Sequence, residues 1–199
     1  MFSGIIKWTG KIEAIEERGT TRVLTISSPV SSTFTIDQSI AHDGVCLTII
    51  NVSNDTHKVE VTQETISKST FGEAKTGQII NLEKAISPST LLDGHMVQGH
   101  VDAAIDCKSI TDLDGSWKID FDLPTEHAPL VIPQGSICIN GVSLTISHLT
   151  GNSFSVSIIP YTFEHTNFKF LKAGDKVNAE FDLIGKYILR QIALRAISE

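Results

Sequence analysis

The stretch Ser39-Ile40-Ala41-His42-Asp43-Gly44-Val45-Cys46-Leu47-Thr48-Ile49 recurs 97 residues later as Ser136-Ile137-Cys138-Ile139-Asn140-Gly141-Val142-Ser143-Leu144-Thr145-Ile146. Carried without a gap from Ser39–Lys84 onto Ser136–Phe181, the alignment keeps 14 of 46 positions identical, among them Phe71/Phe168, Asn81/Asn178 and Glu83/Glu180. At the start the register slips by two, so that Met1 and Gly4 fall on Met96 and Gly99. Self-similarity at a fixed offset marks one structural unit used twice. The chain therefore divides into residues 1–94, residues 95–184 and a tail, 185–199.

Within the repeat, Asp43-Gly44 and Asn140-Gly141 separate two apolar runs, and such pairs suit a tight hairpin turn that needs positive φ. Val45–Asn51, His57–Thr62, Val142–His148 and Ser153–Ile159 are short, rich in Val, Ile, Thr and Phe, and read as strands. Alternation puts Val45, Leu47 and Ile49 on one face and Cys46 and Thr48 on the other; the second copy repeats this with Ser143 and Thr145. Many short strands with recurring turns predict a small closed antiparallel barrel in each half, with a two-sheet sandwich as the alternative. Ile184, Tyr187, Ile188, Ile192 and Ala196 then fall at helical spacing. They predict a C-terminal amphipathic helix that either packs on its own domain or joins subunits.

Composition removes several classes of function. The 199 residues carry 16 basic and 23 acidic side chains, a net charge of −7, with no basic run to hold a nucleic acid. No stretch reaches the roughly 18 apolar residues of a membrane helix, and charged residues from Lys7 to Arg18 break any signal-peptide core. Cys46, Cys107 and Cys138 are odd in number and form no C-x-x-C, a pattern of reduced thiols that predicts a cytoplasmic protein. His95 and His100 are five apart and would face opposite sides of a strand, so no metal site is expected. There is no phosphate loop, nucleophile elbow or dinucleotide fingerprint, so the common chemistries are absent and a binding fold with unusual catalysis, or none, is left. The halves differ where roles can diverge: Cys46 stands against Ser143, and Ile5 against His100.

Taken together, Met1-Phe2-Ser3-Gly4-Ile5-Ile6, the two Asx-Gly segments, the joining stretch Gly94–Asp102, Ile159-Pro160-Tyr161-Thr162 and Ile184-Gly185-Lys186-Tyr187 resemble the riboflavin synthase family over essentially the whole chain. The resemblance implies an all-β fold of two similar six-stranded antiparallel barrels of Greek-key type plus a C-terminal α-helix that assembles a homotrimer. It implies a cofactor-free dismutation of two molecules of 6,7-dimethyl-8-ribityllumazine by four-carbon transfer. The products would be riboflavin and 5-amino-6-ribitylaminouracil. The site would lie between the first barrel of one subunit and the second barrel of its neighbour, and lumazine synthase is a further partner the family admits.

Carried over residue by residue, the resemblance makes His100 the proton-transfer group, with Cys46, Ser39, Ser143 and Thr145 as the other catalytic candidates. Phe2, Gly4, Ile5, Ile6, Gly99 and Val101 would touch substrate. Leu47 and Thr48 with Glu60, Val61, Thr62, Gln63, Glu64 and Thr65 would line the first pocket. Leu144 with Ile158, Ile159, Pro160, Tyr161, Thr162 and Phe163 would line the second, and Gln134 and Asp182 would complete the set. Many family members carry Asp at the position of Asn140 and Lys at that of Gln134. Asn140 keeps the hairpin but excludes a carboxylate base there. The alternative reading is a non-catalytic lumazine- or flavin-binding antenna protein of the same fold; such relatives lose the Gly-His pairs that this chain keeps as Gly94-His95 and Gly99-His100.

Overall fold

Each Asx-Gly pair makes the turn its residue types favour. Asp43 and Gly44 have φ of 45° and 79°, Asn140 and Gly141 of 47° and 81°, the doubly left-handed turn whose twist matches that of paired strands. The computed structural model describes residues 1–198. The first half runs β1 (Trp8–Arg18), β2 (Thr21–Ser27), β3 (Ser39–His42), β4 (Val45–Val52), β5 (Thr56–Val61), α1 (Gln63–Lys68) and β6 (Ile79–Lys84). The second repeats it as β7 (Ala103–Asp112), β8 (Trp117–Asp122), β9 (Ser136–Ile139), β10 (Val142–Leu149), β11 (Ser153–Ile158), α2 (Pro160–His165) and β12 (Lys176–Phe181), followed by α3 (Leu183–Ser198).

Both halves close into barrels of the same strand order, β1-β2-β5-β4-β3-β6 and β7-β8-β11-β10-β9-β12. Closure leaves no free sheet edge and settles the choice against a sandwich. The bulges repeat as well: the register shifts at Ile12/Ala14 and Ile49/Asn51 recur at Cys107/Ser109 and Ile146/His148. The two-residue slip in sequence register falls between β8 and β9. There the 3-10 turn Thr125–Leu130 replaces the shorter Ser31–Thr33 of the first half.

Strand alternation fills each barrel. Val45, Leu47 and Ile49 are buried in the first core, and Val142 and Ile146 in the second. Phe71 and Phe168 plug the barrels from matching 3-10 turns and are fully buried. One core is polar where the other is not. In the first barrel His42 Nε2 lies 2.9 Å from His57 Nε2, and His57 Nδ1 lies 2.8 Å from Ser31 Oγ. Ile139 and Phe154 stand at the corresponding places in the second barrel. Because His42 Nδ1 must donate to the Ile40 carbonyl at 3.1 Å, each remaining proton is fixed. His57 donates from Nε2 to His42, and Ser31 donates to His57, with both rings neutral.

Two short helices escaped the sequence reading, because six residues hold too few turns for a periodic signal. Thr62 caps α1 by accepting from Thr65 N, and Pro160 opens α2 at its first turn. The C-terminal helix begins at Leu183, two residues before the expected start; Glu199, the last residue assigned to it, lies outside the described residues. Asp182 Oδ1 accepts from Ile184 N at its first turn, and Ile184, Tyr187, Ile188 and Ile192 stay at least half exposed. Among the described residues no helix is long and apolar enough to cross a membrane.

Candidate functional site

The residues preceding each barrel do not lie on it. Residues 1–6 cross to the second barrel and residues 95–101 cross to the first, and Phe2 and Val97 pair antiparallel where the two arms meet. Gly4 O accepts from Ser143 N at 2.8 Å, and Gly99 O accepts from Cys46 N at 2.9 Å. Ile6 packs into the second core, Val101 onto the first. The offset of 95 seen in the sequence is thus the offset between two exchanged arms.

Two buried carboxylates hold the arms down. Glu83 accepts from Ser3 N, Ser3 Oγ and Gly4 N at 2.7–3.1 Å. Glu180 accepts from Gln98 N, Gly99 N and His100 N at 2.6–2.9 Å. Burial pushes both acids up from the ordinary carboxylate value, and the amide donors pull the other way. Gly4 and Gly99 sit at φ of 76° and 82°; a Cβ would lie 2.6 Å from Ser143 Cβ at the first and 2.5 Å from Cys46 Cβ at the second. Only glycine brings each arm this close to the strand.

The outer face of β4 therefore carries half-buried Cys46 and exposed Thr48 under the Gly99–Val101 arm. Ser39, opposite Thr48 in register, lies on the same face. Ile49 pairs with Val59, so β5 ends and α1 begins beside the Cys46 end of β4. The second barrel presents Ser143 and Thr145 under Gly4 and Ile5, with α2 in the place of α1. Here the arms add an asymmetry: Ser143 Oγ lies 2.7 Å from His95 Nδ1. Burial holds His95 below the ordinary imidazole value while the charge of Asp182 works against that shift. The sequence presents His95 as half of the Gly94-His95 pair and, by its spacing from His100, as no metal ligand; it does not reveal the bond to Ser143.

The remaining sequence-derived residues divide by where their side chains go. His100 is exposed, with its backbone N–H on Glu180. Thr62, Thr65, Ile159, Thr162 and Pro160 sit at the strand-to-helix corners, with Ile159 60% exposed. Gln63 is exposed at the start of α1. Leu47, Val61 and Ile158 point into the barrels, and Leu144 packs against the second core. Phe2 is fully buried between the barrels with Ala41, Val97 and Cys138. Glu60 accepts from Thr21 Oγ1, Glu64 pairs with Lys68, Tyr161 stacks on His165 and Phe163 on Trp117. Exposed Gln134 occupies a left-handed turn position at φ 60°, as Asp37 does in the first half at 69°.

The glutamates and asparagines between the barrels were visible in the sequence only as identities. Asn81 Nδ2 donates to Asn140 O and Asn178 Nδ2 to Asp43 O, each at 2.9 Å. Asn167 N donates to Asn81 Oδ1 and Thr70 N to Asn178 Oδ1. This network, with Gly44 and Gly141 back to back, defines a pseudo-two-fold axis between the halves. The carboxyl absent at Asn140 is present at its two-fold mate, Asp43.

The lumazine binding domain model matches twice, over residues 3–85 and 98–182. The chain is 38% identical to the riboflavin synthase of Bacillus amyloliquefaciens over 96% of its length and 89% of that protein. It is 35% identical to that of Photobacterium phosphoreum (96% and 88%) and 35% identical to that of Saccharomyces cerevisiae (98% and 87%). Among solved structures, LumP complexed with 6,7-dimethyl-8-(1'-D-ribityl) lumazine superposes with a TM-score of 0.84 at 23% identity, covering 92% of this chain and 99% of that one. That likeness shows the barrel pair. With the duplication, the exchanged arms and identity along nearly the whole length, the chain belongs to the riboflavin synthase family of paired lumazine-binding barrels.

Proposed function

We propose that this chain converts two molecules of 6,7-dimethyl-8-ribityllumazine into riboflavin and 5-amino-6-ribitylaminouracil. The observation that carries the reading is the pair of equivalent outer faces, Cys46/Thr48 and Ser143/Thr145, each walled by the arm of the other half. A reaction between two identical molecules needs two similar pockets. Four carbons leave one lumazine and join the other, so the atoms balance without an oxidant or reductant.

The two faces occupy equivalent places in the duplicated fold and differ in chemistry, which suits a donor and an acceptor. At one, His100 beside the Gly99–Cys46 contact takes the proton from the C7 methyl group, leaving a carbanion delocalised into the ring. At the other, the Ser143 hydroxyl, hydrogen-bonded to His95, supplies or holds the nucleophile that adds at C7 of the second lumazine. Cys46, Thr48, Ser39 and Thr145 read the polar ring edges. Ile159 and Pro160 cover the ring face. Most of the acceleration comes from holding two rings face to face, an effect worth about 7–11 kcal/mol in well-oriented systems.

The exposed apolar face of α3, with Ile184, Tyr187, Ile188 and Ile192, supports assembly of three chains. That would set the first-barrel pocket of one subunit against the second-barrel pocket of its neighbour. The test is incubation of the purified chain with 6,7-dimethyl-8-ribityllumazine and no added cofactor. Two lumazines lost per riboflavin formed is the expected result. Tight binding with an optical shift and no riboflavin would favour the antenna reading.

A further inference from the structure

Between the barrels, and lined by none of the arm residues, lies a cleft of about 550 Å³. Its lining pairs residues 97 apart: Asp43 with Asn140, Thr70 with Asn167, Gln78 with Asp175. The pseudo-two-fold axis therefore runs through it. At its floor, Asp43 and Asn140 are only 2% and 6% exposed. Asp43 Oδ1 accepts from Asn81 N at 2.7 Å and from Asn167 Nδ2 at 2.9 Å, and Asn140 Oδ1 accepts from Asn178 N at 2.8 Å. Their other polar atoms, Asp43 Oδ2 and Asn140 Nδ2, have no hydrogen-bond partner among the described residues. No sealed side-chain nitrogen or oxygen lacks one, so both atoms reach the cleft. With Asp43 ionised, its floor thus presents one acceptor and one donor, contributed by the same position of each half.

We propose that this cleft is a second ligand site, separate from the lumazine pockets, that binds the –NH–C(=O)– edge of a cyclic amide or ureide. The ligand N–H meets Asp43 Oδ2 and the ligand carbonyl meets Asn140 Nδ2. Phe170 and Leu171 supply an apolar wall for the ring. A symmetric pair of asparagines would offer two donors and no acceptor, so the Asp-for-Asn difference between the copies creates the complementarity. The charged groups facing the cleft are Glu73, Lys75, Asp175 and Lys176, with Lys176 paired to Glu73 at 3.1 Å. Burial pushes the Asp43 carboxyl up to about 8. Its free oxygen is a full acceptor above that value, and binding strengthens as pH rises through it.

The probe is dihydrouracil, titrated into the full ¹⁵N-labelled chain on both sides of about pH 8 and followed by amide chemical shifts. The expected result is a saturable shift at Thr70, Gln78, Asn167 and the Asn140 side-chain amide, tighter on the alkaline side. Asp43→Asn weakens it by about tenfold or more, the effect of losing a hydrogen bond to a charged acceptor. Gln78→Trp, which fills the rim without touching the buried network, abolishes the cleft shifts and leaves any shifts around Cys46 and Ser143 in place. Shifts confined to the Cys46 and Ser143 neighbourhoods, or an affinity unchanged in either variant, would overturn the proposal.

Discussion

Ser143 Oγ lies 2.7 Å from Nδ1 of His95, a bond between the outer face of the second barrel and the arm that leads away from it. Its counterpart in the first barrel, Cys46, carries a thiol instead. The duplicated faces have become a hydroxyl–imidazole pair on one side and a thiol under the Gly99 arm on the other.

If the pair generates the nucleophile, Ser143→Ala and His95→Gln each lower kcat by roughly 10²–10⁴-fold with much smaller changes in KM. The double variant is then no slower than the worse single one, as for groups acting as a unit. Steady-state riboflavin formation measures this. Additive losses, or a loss confined to KM, would assign the pair to binding.

Gly99→Ala and Gly4→Ala force a Cβ to within 2.5 and 2.6 Å of the facing strand and hold a left-handed backbone that disfavours side chains. Each should cost about 1–3 kcal/mol or more of stability, read as a lower denaturation midpoint. Gly77→Ala is the control for the backbone alone, since φ there is 90° and no atom lies within 4 Å.

The buried His42–His57 pair makes the first barrel sensitive to acid. Burial lowers His42 to about 3 and His57 to about 4 from an ordinary 6.5. Depressed folded values mean that the unfolded chain binds more protons, so stability is full above about 6.5 and falls as pH drops toward 4. The triple replacement Ser31→Ala, His42→Ile and His57→Phe gives this core the apolar character of the other. It should flatten the decline in thermal midpoint between about pH 7 and about pH 5.

Asp43 acts in the opposite direction. Its carboxyl is raised from 3.8 to about 8, by burial first of all, so its contribution is full below about 3.8 and is lost as pH rises through 8. Asp43→Asn keeps the acceptor for Asn81 N, as Asn140 does for Asn178 N. The variant should therefore unfold at a higher temperature than the parent at neutral and alkaline pH and show no gain near pH 4. Differential scanning calorimetry across that range decides it.

Much of this architecture was legible because duplication doubles the signal. The Asx-Gly turns, the alternation around Cys46 and Ser143, and both repeat offsets each have a direct structural counterpart. What the sequence concealed was reach across the chain. Glu83 and Glu180 sit in strands, yet their function is to bind backbone amides of arms about 80 residues away, and no local pattern encodes that pairing. His95 was hidden for a related reason: its partner Ser143 is 48 residues on. Phe2 and Val61 were misleading in another way, since a position next to a pocket in sequence can direct its side chain into a core.

The exchanged arms have a bearing on how such a chain arose. A single half, folded alone, would have its arm extended and the strand carrying Cys46 or Ser143 uncovered. Two halves that trade arms satisfy each other, so the unit that duplicated is most simply a dimer already knotted by its amino termini. Fusion then needed only a connection from β6 to the second arm. That step also freed the halves from identity, leaving a serine on one side and a cysteine on the other, a difference no symmetric dimer of one sequence can possess.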